Sequence, residues 1–454
     1  MAIDATETRK QIMRAFPNVD DYLADFSFTP IHCAVLGLYE PQDRARPTLK
    51  QLLDLVDEAN NAPVGTDWSA WKRELARRSE NDAKIMASPL AIQIVEMFRT
   101  AAEKLPPTEK KPVLDIINQA DEKWGWPPFH WAAFTGRLDK MRELRSNNAD
   151  PFLDSPMKRN VVHIACESKR PEVLSYVLDI WRQNKDKLDI NKYDRWKETP
   201  LHVAASYSEA CVKLLLKEGV NLNARQENEQ VPMHYTCVCS DQDERFRIIS
   251  LLAHQPGILI NAQDEQGRTP VFELLGSPAC VRELAECGAD FSISDNSGDT
   301  IIHNACMEDE GKALEDILEL SPDPNAATRL NRKGNTPLIE ACAHKSSACA
   351  TILLAKANVE STFAGKDGWT AVHHTAQWGD ANILEALLTH SSFERGKKTN
   401  DKKTAEIISK EACTFSGQVK DLLRRYDSVA GSDLVNSQDR RLFYEAAAHH
   451  LVMK

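Results

Sequence analysis

Seven histidines stand at one phase of a recurring tetrapeptide: His32, His130, His163, His202, His234, His303 and His373. Histidine titrates closest to neutrality, so a regular row of it raises metal binding or general acid–base work as candidate chemistry. A second candidate is His234-Tyr235-Thr236-Cys237-Val238-Cys239, with one His and two Cys in six residues. A zinc site needs four ligands, usually as two CxxC-like halves. Here a CxC stands without a second half, so no metal is expected. Lys397, Lys398, Lys402 and Lys403 could form an import signal or an anion contact, or a solvated loop. Gly396-Lys397-Lys398-Thr399 lacks the upstream glycine of a phosphate loop. The chain has no GxSxG, HExxH, GxGxxG or kinase motif set. No catalytic residue and no cofactor is expected from motifs.

The elements that would position these residues follow from the tetrapeptide itself. It reads Thr199-Pro200-Leu201-His202 in full and Thr29-Pro30-Ile31-His32 nearly so. Degenerate copies begin at Pro127, Asn160, Val231, Thr269, Thr300, Thr336 and Thr370. The second motif residue recurs at 128, 161, 200, 232, 270, 301, 337 and 371, in steps of 33, 39, 32, 38, 31, 36 and 34 by subtraction. Gly125, Gly267, Gly298, Gly334 and Gly368 precede the motif, where a tight or left-handed backbone is needed. Small pairs follow it: Ala132-Ala133, Ala165-Cys166, Ala204-Ala205, Ala305-Cys306 and Ala341-Cys342. A second apolar helix comes next, clearest in Val212–Leu216, and then a turn such as Cys287-Gly288-Ala289-Asp290.

A period in the low thirties carrying T-P-L-H-x-A resembles the ankyrin repeat. The resemblance runs from about Asp121 to Leu388, with a weaker copy at Lys403-Thr404-Ala405. The segment Phe28–Leu38 resembles ankyrin proteins of filamentous fungi. The resemblance implies an all-α solenoid of helix-turn-helix units with β-hairpin-like tips. No unit buries its own apolar face, so copies must stack. It implies that the motif histidines hydrogen-bond within and between repeats, about 10 Å apart, too far to share one ion at about 2 Å.

Organisation is expected as follows: 1–38, an N-terminal cap and first degenerate repeat; 39–120, a helical insertion; 121–425, an array of about eight to nine repeats; 426–454, a linker and capping helix, Arg441–Ala448. Leu49, Leu52, Leu53 and Val56, then Trp68, Trp71 and Leu75, then Leu90, Ile94, Met97 and Phe98, mark three helices in the insertion. The net charge of -11 and pI near 5.7 argue against a partner held through phosphates. No run approaches the roughly 18 apolar residues of a membrane helix. Met1–Glu7 lacks the pattern of a secretory signal, and the eleven Cys read as reduced core residues. The expectation is a cytoplasmic or nuclear protein that binds neither nucleic acid nor membrane. Oligomeric state is left open.

In ankyrin repeats the tips and the first-helix residues after the small pair face a concave groove that contacts partners. The resemblance places Trp124, Trp126, Trp196 and Trp369 on tips, and Phe134, Tyr207 and Trp378 on first helices. Exposed aromatics there would anchor a partner protein. Glu265, Asp299 and Glu308 at equivalent positions would favour a basic patch on it. The leading expectation is a protein-interaction module or adaptor. The alternative is an enzyme or small-molecule binder, with a pocket where the insertion meets the groove near Trp126, Trp196 and Tyr207. His344, His374, Asp299 and Glu308 would then act as acids or bases. A third reading makes the array a spacer that docks through its C-terminal helix.

Overall fold

The computed structural model describes residues 28–36, 47–63, 66–78, 89–103, 115–356, 359, 363–390, 397–412 and 417–428. The expected capping helix Arg441–Ala448 lies outside them. The chain divides into two compact units, 1–227 and 228–454. Among the described residues both are built of short antiparallel helix pairs, and the only extended pairing is two isolated bridges, Ser294 with Thr300 and Ala364 with Thr370.

In the first unit the motif opens the inner helices Pro30–Leu36, Pro128–Phe134, Val161–Glu167 and Pro200–Tyr207. Proline at the first helical position lacks only an N–H that the helix cannot use, and its fixed φ suits the first turn. Thr199 caps its helix with a reciprocal box: its side chain takes the His202 N–H and the His202 ring takes the Thr199 N–H. The inner helices pack in series, as do the outer helices Leu138–Ser146, Pro171–Gln183 and Glu209–Lys217. Ala132, Ala133, Ala165, Cys166, Ala204 and Ala205 are all fully buried, which lets neighbouring backbones approach.

The three helices after the first motif divide into two roles. Leu49–Asn60 packs on Pro30–Leu36 and reaches Leu138–Ser146, the place of an outer helix in the first pair. Trp68–Arg78 and Pro89–Glu103 pack on each other, and the latter also covers Pro30–Leu36 and Leu49–Asn60. Ile94, Val95 and Phe98 are buried there, with Trp68 stacked on Phe98 at 5.4 Å between centroids.

The second unit repeats the plan. Its first two motifs open 3-10 turns, His234–Val238 and Pro270–Leu274, and later ones open Ile301–Glu308, Pro337–Ala343, Ala371–Trp378 and Ala405–Glu411. Outer helices Gln242–Ala253, Pro278–Glu286, Gly311–Leu320, Ser347–Lys356, Ala381–Thr389 and Gly417–Ser428 stack in order. The tips are tied by backbone bonds from each repeat to the one before. Asn296 N–H donates to the Gln266 carbonyl at 2.8 Å, Arg332 to Ser297 at 2.9 Å and Lys366 to Lys333 at 2.9 Å. Gly298 shows why glycine stands at these tips: its φ is +78°, and a Cβ there would lie 2.8 Å from the Arg332 nitrogen that makes the tie.

Candidate functional site

Five of the motif histidines, His32, His163, His234, His303 and His373, rivet one repeat to the next, whereas the His130 ring is buried with neither nitrogen in hydrogen-bond geometry. The His32 ring meets Thr29 Oγ1 at 2.8 Å through Nδ1 and the Trp126 carbonyl of the next tip at 2.9 Å through Nε2. His303 does the same with Thr300 at 3.0 Å and the Asn335 carbonyl at 3.2 Å. His373 does so with Thr370 at 2.8 Å and the Lys397 carbonyl at 3.0 Å. Each ring spans one repeat and the next, so both nitrogens are committed. Burial holds these imidazoles neutral: His32 and His130 fall to about 4 and His163 to about 3. His234 belongs to the same row, its ring taking the Val231 N–H at 3.2 Å and meeting the Arg268 carbonyl at 3.1 Å. The His234–Cys239 segment therefore offers no free imidazole to a metal.

The candidate contact aromatics separate by burial. Trp126 is 5% exposed and Phe134 8%, and both pack on the wholly buried Trp131 at 5.1 and 6.0 Å between centroids. The expectation that these two offer an open face to a partner is corrected: the indole and phenyl fill the space beside Trp131. Trp131 is itself fixed by Asp121, whose Oδ2 accepts its Nε1–H at 3.0 Å and the Trp126 N–H at 2.9 Å. Trp124 is half-buried on the same tip. Trp196 and Trp378 are 43% and 44% exposed, and Tyr207 and Trp369 half-buried.

In the first unit, Trp196 and Tyr207 border a charged cluster that the motif search missed. The Arg159 guanidinium reaches Asp194 at 2.9 Å, Glu198 at 2.9 Å and Glu167 at 3.2 Å. It also lies over the Trp196 ring, 5.5 Å from its centroid, while Lys169 Nζ sits 4.6 Å from the centroid of Tyr207. Asp194 is fixed by its own tip, accepting the Trp196 and Glu198 N–H groups at 2.8 and 2.9 Å. Burial pushes the Glu167 carboxyl up against the pull of Arg159. Burial, then the negative charge of Glu167, raises the Tyr207 phenol. Three carboxylates thus surround one guanidinium, an excess of negative charge next to accessible rings. The sequence signal for it is phase: Arg159 and Glu198 both immediately precede the motif.

In the second unit the corresponding phase holds Asp299 and Asn335. Glu340 is buried and accepts from the amides of Asn331 at 2.8 Å and Asn335 at 2.9 Å. Burial opposes its ionisation, but the two amides, Lys333 and His344 win, and its carboxyl sits below the ordinary value. Asp299 is also buried, contrary to the expectation of a surface charge. It takes the other Asn331 amide hydrogen at 2.7 Å, and burial raises its carboxyl. His344 Nδ1 lies 3.5 Å from Glu340, and the Trp369 ring is 4.8 Å from that of His374, whose pKa burial lowers. His344, His374 and Asp299 are therefore neighbours of one network. Glu308 stands apart, exposed near Glu310, Glu273 and Arg268. Trp378 carries Lys345 Nζ 4.4 Å from its centroid.

A cleft of about 810 Å³ lies between Leu49–Asn60 and Trp68–Arg78, lined by Glu58, Asn61, Thr66, Asp67, Trp71 and Arg73 among others. Its lining holds none of Trp126, Trp196 and Tyr207, the aromatics expected around a pocket. No helix among the described residues is long and apolar enough to cross a membrane.

The repeated pair, its tied tips and its riveting histidines define a class. A family model for ankyrin repeats, in 3 copies, matches residues 184–264 and 271–363. Those residues are ankyrin repeats, and the fold is an all-α ankyrin-repeat solenoid. The chain is similar to the probable 26S proteasome regulatory subunit p28 of Saccharomyces cerevisiae, 29% identical over 194 residues, which are 40% of this chain and 79% of that protein. It is 30% identical over 142 residues to a probable serine/threonine-protein kinase of Dictyostelium discoideum, covering 30% of this chain but 16% of that one. The solved ankyrin repeat domain of Bcl-3 is 22% identical with a TM-score of 0.41, covering 51% of this chain and 99% of that one.

Proposed function

We propose that this chain is a protein-interaction module whose first unit holds a basic segment of a partner protein. Ankyrin repeats are typically non-enzymatic interaction modules. The observation that carries the finer reading is the cluster of Glu167, Asp194 and Glu198 around Arg159, flanked by Trp196 and Tyr207. A lysine or arginine of the partner would meet carboxylates already in excess, and its flanking apolar residues would lie on the two rings. Contact through Trp124, Trp369 and Trp378 extends the reading to the remaining tips and inner helices. We also propose that the first repeat runs to about Asn60, and that the inserted piece begins after it, an assignment supported by the packing of Leu49–Asn60 as an outer helix.

Selection of displayed peptides on the intact chain tests the finer reading. Enriched peptides should pair Lys or Arg with an apolar neighbour and weaken as salt rises. A Trp196→Ala, Tyr207→Ala double variant should lose them while keeping its helix content. Enrichment of acidic peptides, or binding untouched by the double variant, would overturn it.

A further inference from the structure

We propose a zinc-class metal site on the outer helices of the second unit, formed by His254, Glu283 and Cys287. It is independent of the Arg159 cluster above, which lies on the first unit.

His254 caps the C-terminus of Gln242–Ala253, and Cys287 caps that of Pro278–Glu286. The two helices pack directly against each other. Glu283 and Cys287 are four residues apart, which puts them on one face of their helix. The three residues bring one donor atom each to within 4.8 Å of one another. Cys287 Sγ is 3.9 Å from both ring nitrogens of His254, and Glu283 Oε1 is 3.6 Å from its Nδ1. In a tetrahedral zinc site, bonds of about 2.0 to 2.3 Å set sulfur and nitrogen donors about 3.6 Å apart. Closing donor atoms that lie within 4.8 Å of one another onto one ion takes a swing of the Glu283 side chain and of the exposed imidazole.

A second observation points the same way. His254 Nδ1 donates to the Ser250 carbonyl at 2.8 Å. That bond turns Nδ1–H away from a metal and leaves Nε2, 3.9 Å from Cys287 Sγ, as the ligating atom, so Glu283, whose present approach is to Nδ1, must swing to reach the same ion. The charges also suit a dication. Glu283 and Glu286 place negative charge beside Cys287. The same carboxylates attract M²⁺, which displaces the thiol proton to solvent and forms the metal–thiolate bond. Thiolate and Glu283 carboxylate then neutralise the ion. The imidazole is 65% exposed, which leaves the fourth position to water. Sulfur, imidazole and one carboxylate select zinc or cobalt over magnesium or calcium.

The test uses the full chain, stripped with chelator and titrated with Zn²⁺ alone against a chromophoric competitor, and with Co²⁺ by absorbance. One zinc per chain should bind, and Co²⁺ should give a thiolate charge-transfer band with tetrahedral d–d intensity. Cys287→Ser should abolish the band, and His254→Gln should weaken zinc binding by about tenfold or more. Cys237→Ser, which removes another accessible thiol, should leave both unchanged. All three positions are at least partly exposed, and circular dichroism checks that each variant folds. No zinc uptake by the wild type, or uptake retained by Cys287→Ser, would overturn the site.

Discussion

The Arg159 cluster of the first unit and the Glu340 network of the second bury charge beside the repeat tips in opposite ways. One centres on a cation and meets it with three carboxylates; the other centres on a carboxylate and meets it mainly with neutral amides. Amides satisfy Glu340 without adding charge, so that network closes on itself. Three carboxylates meet the one Arg159 cation, so that cluster keeps an excess of negative charge beside Trp196. The same fold thus yields a self-contained joint in one unit and a carboxylate-rich cluster beside an exposed ring in the other.

Acid gives the largest expected contrast. His32 and His130 fall from 6.5 to about 4 and His163 to about 3, so the unfolded chain binds protons that the fold refuses. Their contribution is complete above about pH 6.5 and is lost as pH falls through about 4, on the order of 3 kcal/mol per histidine. Urea midpoints read by tryptophan fluorescence, to which seven of nine tryptophans in the first unit contribute, should drop steadily from pH 7 to 4. A flat midpoint would break the assignment of these three as neutral buried histidines.

Arg159→Met comes next. It strands Asp194 and its neighbours without their cation and should cost about 3 kcal/mol of stability in the first unit. A loss below about 1 kcal/mol would show that the carboxylates are served by water.

Glu340→Ala should cost about 2 kcal/mol, because the Asn331 and Asn335 amides lose a buried acceptor. Glu340→Gln keeps the shape and should cost less, sharpening the claim that hydrogen bonds rather than charge dominate there. Equal losses in the two variants would reverse that claim.

The smallest stability effect belongs to Trp196→Ala, about 0.5 kcal/mol from its exposed contact with Arg159. Its effect on basic-peptide affinity should be far larger, about tenfold. Stability and affinity losses of the same size would mean that Trp196 supports the fold rather than a partner.

Much of this was legible in residue order. Thr199-Pro200-Leu201-His202 announces its own helix start, because proline and a capping threonine act within one turn. Glycine before the motif announces the tip, since the positive φ at Gly298 is a local backbone demand that glycine meets without strain. Other features were illegible for a physical reason. Trp126 and Trp196 occupy similar tips, yet one is buried and one is not, because Trp131 and Phe134 happen to stand below the first. Arg159, Glu167, Asp194 and Glu198 come from separate turns of two repeats. His254 and Cys287 lie one period apart, 287 minus 254 being 33, and the shared phase becomes a cluster only when the repeats stack.

The sequence by itself determined the period, the helix pairs and the neutral histidine joints, because each depends on neighbours within a turn or at the next motif. Tertiary structure alone decided which aromatics stay open, that the inserted helices cover the first pair, and where charge gathers. Those outcomes depend on which side chains from different repeats compete for the same space and the same water.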